Sequence, residues 1–215
     1  MLNRKIILPV LYVLAYVLTF YIVLQYAIFK PSQAGMVSAK LQDASFPYAV
    51  WKLFFYPHIL LGIAALLIGA YQLTHRSRRH PVRHKLLGRL YGAAILLNVL
   101  VVPYIALYAT GGTPSTIAFL VLDVFWFGTT AIGIGYILKR NVARHRRWML
   151  RSYAITFVFV TFRIVLGIVQ LTIDAPRSVT FPLAVYLAIA LNLGITETYL
   201  GKRSRSAAQS IEGVG

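Results

Sequence analysis

Two histidines, His84 and His145, each stand in a cluster of Arg and Lys at the head of a long apolar run, and both runs point the same way along the chain. Neutral imidazoles on two neighbouring helices are the ligands that hold a non-covalent haem iron from both sides. Gly88 and Gly92 follow His84 on one helical face, where the lack of side chains would leave room for a flat ring. Arg89 and Arg151 lie one turn further in and are expected to bind the haem propionates. The expected cofactor of this constellation is therefore haem b, with His84 and His145 on the iron. The plainer reading of the same residues is a solvated positive face at a membrane border. His75 and His80 read as loop histidines.

A second set lies deeper. Asp123 falls six residues inside one apolar run, roughly 9 Å at the helical rise, and Arg163 about nine residues inside another, roughly 13 Å. Ionisable groups within hydrocarbon are costly and turn towards the bundle interior, where they pair or act. Asp123 and Arg163 are expected to form an ion pair, with His58 at similar depth as the third member of an intramembrane polar site. Ser152, Thr156, Arg163 and Gln170 recur on one helical stripe. His58 continues as Gly62, Ala65, Gly69 and Gln72, a small-residue face suited to close helix packing.

Other chemistries lack their residues. The chain has no cysteine, which removes disulfides, thiolate metal sites, iron–sulfur clusters and c-type haem. It has no phosphate-cradling Gly-x-x-x-x-Gly-Lys, no His-Glu-x-x-His and no Gly-x-Ser-x-Gly.

The elements that must position these side chains are membrane spans. Hydrophobic residues make up 59% of the 215 and charged residues only 13%, so the apolar excess must face lipid. Six runs approach the ~20 residues that cross a ~30 Å hydrocarbon core: 6–29, 53–73, 86–109, 117–138, 148–172 and 181–200. The expected fold is an all-α polytopic bundle of six transmembrane helices forming one domain over 1–203, with a disordered tail over 204–215. Residues 30–52 form the longest loop, with room for a short surface helix. Trp51 and Trp148 sit at span ends, where indoles favour the headgroup level.

The net charge of +17 is distributed by position. Seventeen of the 22 Lys and Arg residues fall in four stretches on one side of the proposed membrane: Arg4–Lys5, Arg76–Arg89, Lys139–Arg151 and Lys202–Arg205. This asymmetry places both termini, His84 and His145 in the cytoplasm and His58 near the outer face. The partners it implies are anionic lipid headgroups, with no role for nucleic acid. Val82-Arg83-His84-Lys85 and Ala143-Arg144-His145-Arg146 each precede an Arg-x-Tyr, which suggests that spans two–three and four–five are repeated hairpins.

Tyr56-Pro57-His58-Ile59, Gly69-Ala70-Tyr71-Gln72, the string from His84 to Tyr91, the string from His145 to Tyr153, and Thr161-Phe162-Arg163 resemble a family of bacterial membrane proteins, domain of unknown function 2306. The resemblance covers roughly Tyr56 to Gln170. It implies a multi-pass protein of the bacterial plasma membrane and singles out His58, His84, His145, Arg89, Arg151 and Arg163. More distantly, the core is similar to transmembrane b-type cytochromes, although His58 has no histidine partner at its own depth. Three functions stay open: a haem-b or quinone-linked redox protein, a small-solute or proton-coupled transporter, and a non-catalytic membrane subunit or assembly factor. Either a homo-oligomer or a larger membrane complex is compatible with each.

Overall fold

The computed structural model describes residues 4–29, 32 and 35–212. Lys30 and Pro31 of the long loop and the last three residues of the tail lie outside the described residues. Helix α1 (Arg4–Val23) widens into a π-helical turn at Leu24–Ile28, and α2 (Gly35–Leu41) is the short helix of the loop. Then follow α3 (Tyr48–Gln72), α4 (His75–Arg79), α5 (Pro81–Ala106), α6 (Thr113–Leu138), α7 (Val142–Thr156), α8 (Val158–Thr172) and α9 (Arg177–Glu212). No strand occurs among the described residues. Five helices are long and apolar enough to cross a bilayer, and α7 with α8, taken together as one bent span, make a sixth. Large apolar side chains such as Leu60, Leu100, Val124 and Leu171 are exposed along them, as expected of a surface solvated by lipid.

Local chemistry sets the helix ends. Asn141 caps α7 by accepting from the amide of Arg144 at 3.0 Å, and Thr74 caps α4 through the amide of Ser77 at 3.1 Å. Pro81 and Pro114 stand in the first turns of α5 and α6, where a missing N–H leaves no bond unmade. Gly111 turns the chain between α5 and α6 at φ +96°, hard against the Arg177 carbonyl, so neither its conformation nor its surroundings admit a side chain.

Two expectations about the spans are corrected. The fifth span is two helices bent by 42° at Phe157, although it holds no proline. The cause lies on α9: Asn192 donates to the Ala154 carbonyl at 2.9 Å, the acceptor that an unbroken helix offers to Val158, and accepts from Thr161 at 3.0 Å. The bend also divides the expected polar stripe. Ser152 and Thr156 are fully buried, whereas Gln170 points outward. Helix α9 runs on past the expected end of the sixth span at residue 200, through Glu212.

The two hairpins of the expected repeat, α3 with α5 and α6 with α7, are the most extensively packed helix pairs. Between them Tyr91 and Tyr153 close on Gly69, where a Cβ would fall under 3.0 Å from both rings. A hydroxyl network threads this centre. Tyr91 Oη meets Ser152 Oγ at 2.8 Å and Thr156 Oγ1 at 2.9 Å, while the Trp126 indole donates to Thr156 Oγ1 at 2.9 Å. Thr130 Oγ1 meets Ser152 Oγ at 2.7 Å, and Tyr153 donates to the Leu66 carbonyl at 3.3 Å.

Candidate intramembrane binding site

The fold separates the expected site residues into two places. At the basic end, Ser77 donates to Gln72 Oε1, so its oxygen is left to accept from His84 Nδ1 at 2.9 Å. His145 Nδ1 donates to the Gly133 carbonyl at 2.8 Å, since a carbonyl can only accept. Both rings thus carry their proton on Nδ1 and keep Nε2 as the free acceptor, the arrangement in which backbone and hydroxyl groups orient metal-binding imidazoles. The two histidines lie within electrostatic range of one another.

Their donor set suits a haem iron, but the space beside them does not. A Cβ on Gly88 would meet Gln72 Nε2 at 3.1 Å, and one on Gly92 would meet Ile134 Cδ1 at 3.2 Å. The glycines let neighbouring helices approach; they do not leave a slot. Arg151 is also committed elsewhere. Its guanidinium grips Glu197 with Nε–Oε1 at 2.5 Å and Nη2–Oε2 at 2.8 Å, and stacks 4.7 Å from the Trp148 ring centre. Arg89 projects outward on α5. No cluster of three or more His, Cys, Asp or Glu able to hold a metal exists among the described residues.

At the opposite end lies a cavity of about 230 Å³. His58 and Arg163 both line it. His58 Nδ1 donates to Asn98 Oδ1 at 2.8 Å, and Asn98 Nδ2 returns a bond to the His58 carbonyl at 3.2 Å. That reciprocal pair fixes the ring proton on Nδ1 and leaves Nε2 as acceptor. Phe159 packs 5.7 Å from the imidazole, and its carbonyl accepts from Arg163 Nη1. The small-residue face of α3 makes these approaches possible: Gly62 lies against both Phe159 and Asn98.

Three features in and beside this cavity were not expected from the residue pattern. Asn98 is fully buried in α5; its signal was a lone amide inside an otherwise apolar run. Lys40, from α2, lines the cavity and donates to the Tyr108 carbonyl. Burial holds its ammonium group below the usual lysine range. Trp51, expected at the headgroup level, is 1% exposed, stacks on Phe55 at 4.1 Å and lines the same cavity. Its indole Nε1 has no hydrogen-bond partner among the described residues.

The expected Asp123–Arg163 ion pair is not formed. Asp123 Oδ1 is without a partner among the described residues, and Arg163 Nη1 donates to the Phe159 carbonyl instead. Asp123 and Arg163 line two different cavities that share a wall at Phe159. Among the described residues no Asp or Glu lines the large cavity; Lys40 is half-buried in its wall, and Arg163 lines it with a side chain that is also exposed.

Fold and cavity together define a polytopic α-helical membrane protein with a largely apolar pocket whose lining includes two cations. Residues 55–200 match the family described as predicted membrane protein (DUF2306), and the chain belongs to that family. No curated protein and no solved structure matches it, so the cytochrome similarity gains no support from that side. The matched region contributes His58 and Arg163 to the pocket and Asn98 behind His58, whereas Lys40 and Trp51 come from the segment before it.

Proposed function

We propose that the protein is a membrane carrier for small amphipathic anions, bound in the cavity between α1, α3, α5 and α8. The observation that carries this reading is an apolar pocket holding two cations, Arg163 and Lys40, and a partnerless donor, Trp51 Nε1, with no acidic residue in its wall. Unpaired donors and charges in apolar surroundings are costly, and a carboxylate with a hydrophobic body relieves both terms at once. The pocket lies somewhat below the roughly 300–1,000 Å³ of drug-sized ligand sites, which favours a short acyl chain or a single ring. His58 Nε2 then accepts from a hydroxyl on the ligand. The basic end faces the cytoplasm and the anionic headgroups of a bacterial plasma membrane, with the protein acting as a homo-oligomer or within a larger complex.

The test uses octanoate and 1-octanol with purified protein in lipid nanodiscs. Octanoate should raise the melting temperature and 1-octanol should not, and Arg163→Gln with Lys40→Met should abolish the difference. Proteoliposomes should then accumulate labelled octanoate faster than protein-free vesicles. Equal shifts with acid and alcohol overturn the reading.

A second reading, a haem-b or quinone-linked redox protein, is favoured by the matched Nδ1-bonded tautomers of His84 and His145. It requires Gln72 and Ile134 to withdraw from Gly88 and Gly92. The visible spectrum of protein expressed with haem decides it: a reducible Soret band lost in His84→Ala and His145→Ala supports it, and colourless folded protein refutes it.

A further inference from the structure

Asp123 is 6% exposed, and its Oδ1 finds no partner among the described residues. It lines a second, smaller cavity of about 40 Å³ with Val102, Phe119, Leu122, Trp126, Ile155 and Phe159. Val102, Phe119, Leu122 and Phe159 also line the large cavity, so the two spaces share a wall. A hard metal cation requires six or more oxygen ligands, and the side chains lining this cavity supply only the Asp123 carboxylate. A proton requires one. The volume admits a water molecule, which needs roughly 10–15 Å³, to deliver it.

The surroundings of Asp123 limit what else titrates there. No Lys, Arg, His or Glu lines its cavity. Across the Phe159 wall, the titratable side chains lining the large cavity are His58 of α3, Arg163 of α8, Lys40 of α2, Tyr26 and Tyr108. Tyr91 of α5 and Tyr153 of α7 belong to the hydroxyl network nearer the basic end. The titratable groups of α9 through Arg205 are Arg177, Tyr186, Glu197, Tyr199, Lys202, Arg203 and Arg205, and none lines either cavity.

We propose that Asp123 is a proton-binding site coupled to the anion pocket, an inference that rests on the carrier reading above. An anion seated in the large cavity places a second negative charge across the shared wall at Phe159 from the Asp123 carboxylate. The stranded carboxylate then binds one proton from water and becomes a carboxylic acid, because an isolated ionised carboxyl in apolar surroundings is far costlier than its neutral form. Anion and proton enter together, and by linkage each raises the affinity for the other. The break at Phe157 places the wall residue Phe159 in the first turn of α8, where movement of that helix would open or close both spaces together.

The experiment is calorimetric titration of octanoate into nanodisc-embedded protein in buffers of different ionisation enthalpy, at a pH where octanoate is ionised. Wild type should take up one proton per octanoate bound, and Asp123→Asn should bind octanoate with none. Affinity should rise up to tenfold per unit fall in pH in wild type and stay level in Asp123→Asn. Binding without proton uptake, or uptake that persists in Asp123→Asn, overturns the proton site while leaving the carrier reading intact. Loss of octanoate binding in wild type overturns both. An infrared C=O band of a carboxylic acid that grows with octanoate in wild type tests the same event without any variant, and its absence also overturns the proposal.

Discussion

His58 and Asn98 clasp each other with two hydrogen bonds, side chain to side chain at 2.8 Å and side chain to backbone at 3.2 Å, across the contact of α3 and α5. The clasp sets the ring tautomer and ties the cavity wall to the most extensively packed helix pair. Asn98→Leu should strand the His58 N–H and destabilise the protein by about 1–3 kcal/mol. Adding His58→Phe removes the stranded donor and should recover part of that loss. Melting curves of the four proteins of this cycle measure the coupling; strictly additive losses would show that the two side chains act independently.

Gly69 is the point where α3 admits two aromatic rings, each held at its far end by a hydrogen bond. Gly69→Ala should force Tyr91 and Tyr153 to move and cost about 1–3 kcal/mol by overpacking. Gly194→Ala, with no heavy atom near its added carbon, is the control and should leave the melting temperature unchanged or slightly raised. Similar losses in the two variants would contradict the packing described.

Thr156 accepts from Trp126 and meets Tyr91, immediately before the break at Phe157. Thr156→Val keeps the shape and removes the hydroxyl, leaving the Trp126 N–H buried without an acceptor. A loss of about 1–3 kcal/mol is expected, with a change in Trp fluorescence. Thr172→Val, on the exposed far turn of α8, should do neither.

Lys40 supplies a pH test outside the spans. Burial depresses its folded value below the ordinary 10.5, so the unfolded chain binds the extra proton. Stability should therefore rise with pH from the folded value up to the ordinary lysine value. Lys40→Met should flatten that rise, and saturating octanoate should weaken it by favouring the ammonium. A wild-type profile that falls over the same window would reverse the assigned sign.

The orientation is open to direct test. Reporter fusions after Ser45, Arg78, Gly112, Val142, Ala175 and Arg205 should alternate outside and inside, beginning outside. Two successive fusions on the same side would remove one span.

Composition and apolar run length alone determine that this chain is a multi-pass helical bundle. Hydrocarbon demands backbone bonds made within each segment, and about twenty residues set the length of a span. The strings around His58, His84, His145 and Arg163 likewise carry the family. Periodicity also marked the face of α3 from His58 to Gln72 as a packing surface, because small residues at helical spacing have one evident use. Tertiary structure decided what each marked residue meets. Gly88 and Gly92 receive Gln72 and Ile134 because helix contacts, unlike helix faces, depend on which neighbour arrives. Arg151 is taken by Glu197, forty-six positions away. Asp123 and Arg163, at matched depth by helical rise, are kept apart by a wall carried on α8, and the bend that places it arises from Asn192 on another helix. Lys40 and Trp51 reach the pocket from a loop and a span end, where no periodic pattern applies. Depth along a helix is a one-dimensional property that the chain carries in its order; lateral pairing is settled only when the helices assemble.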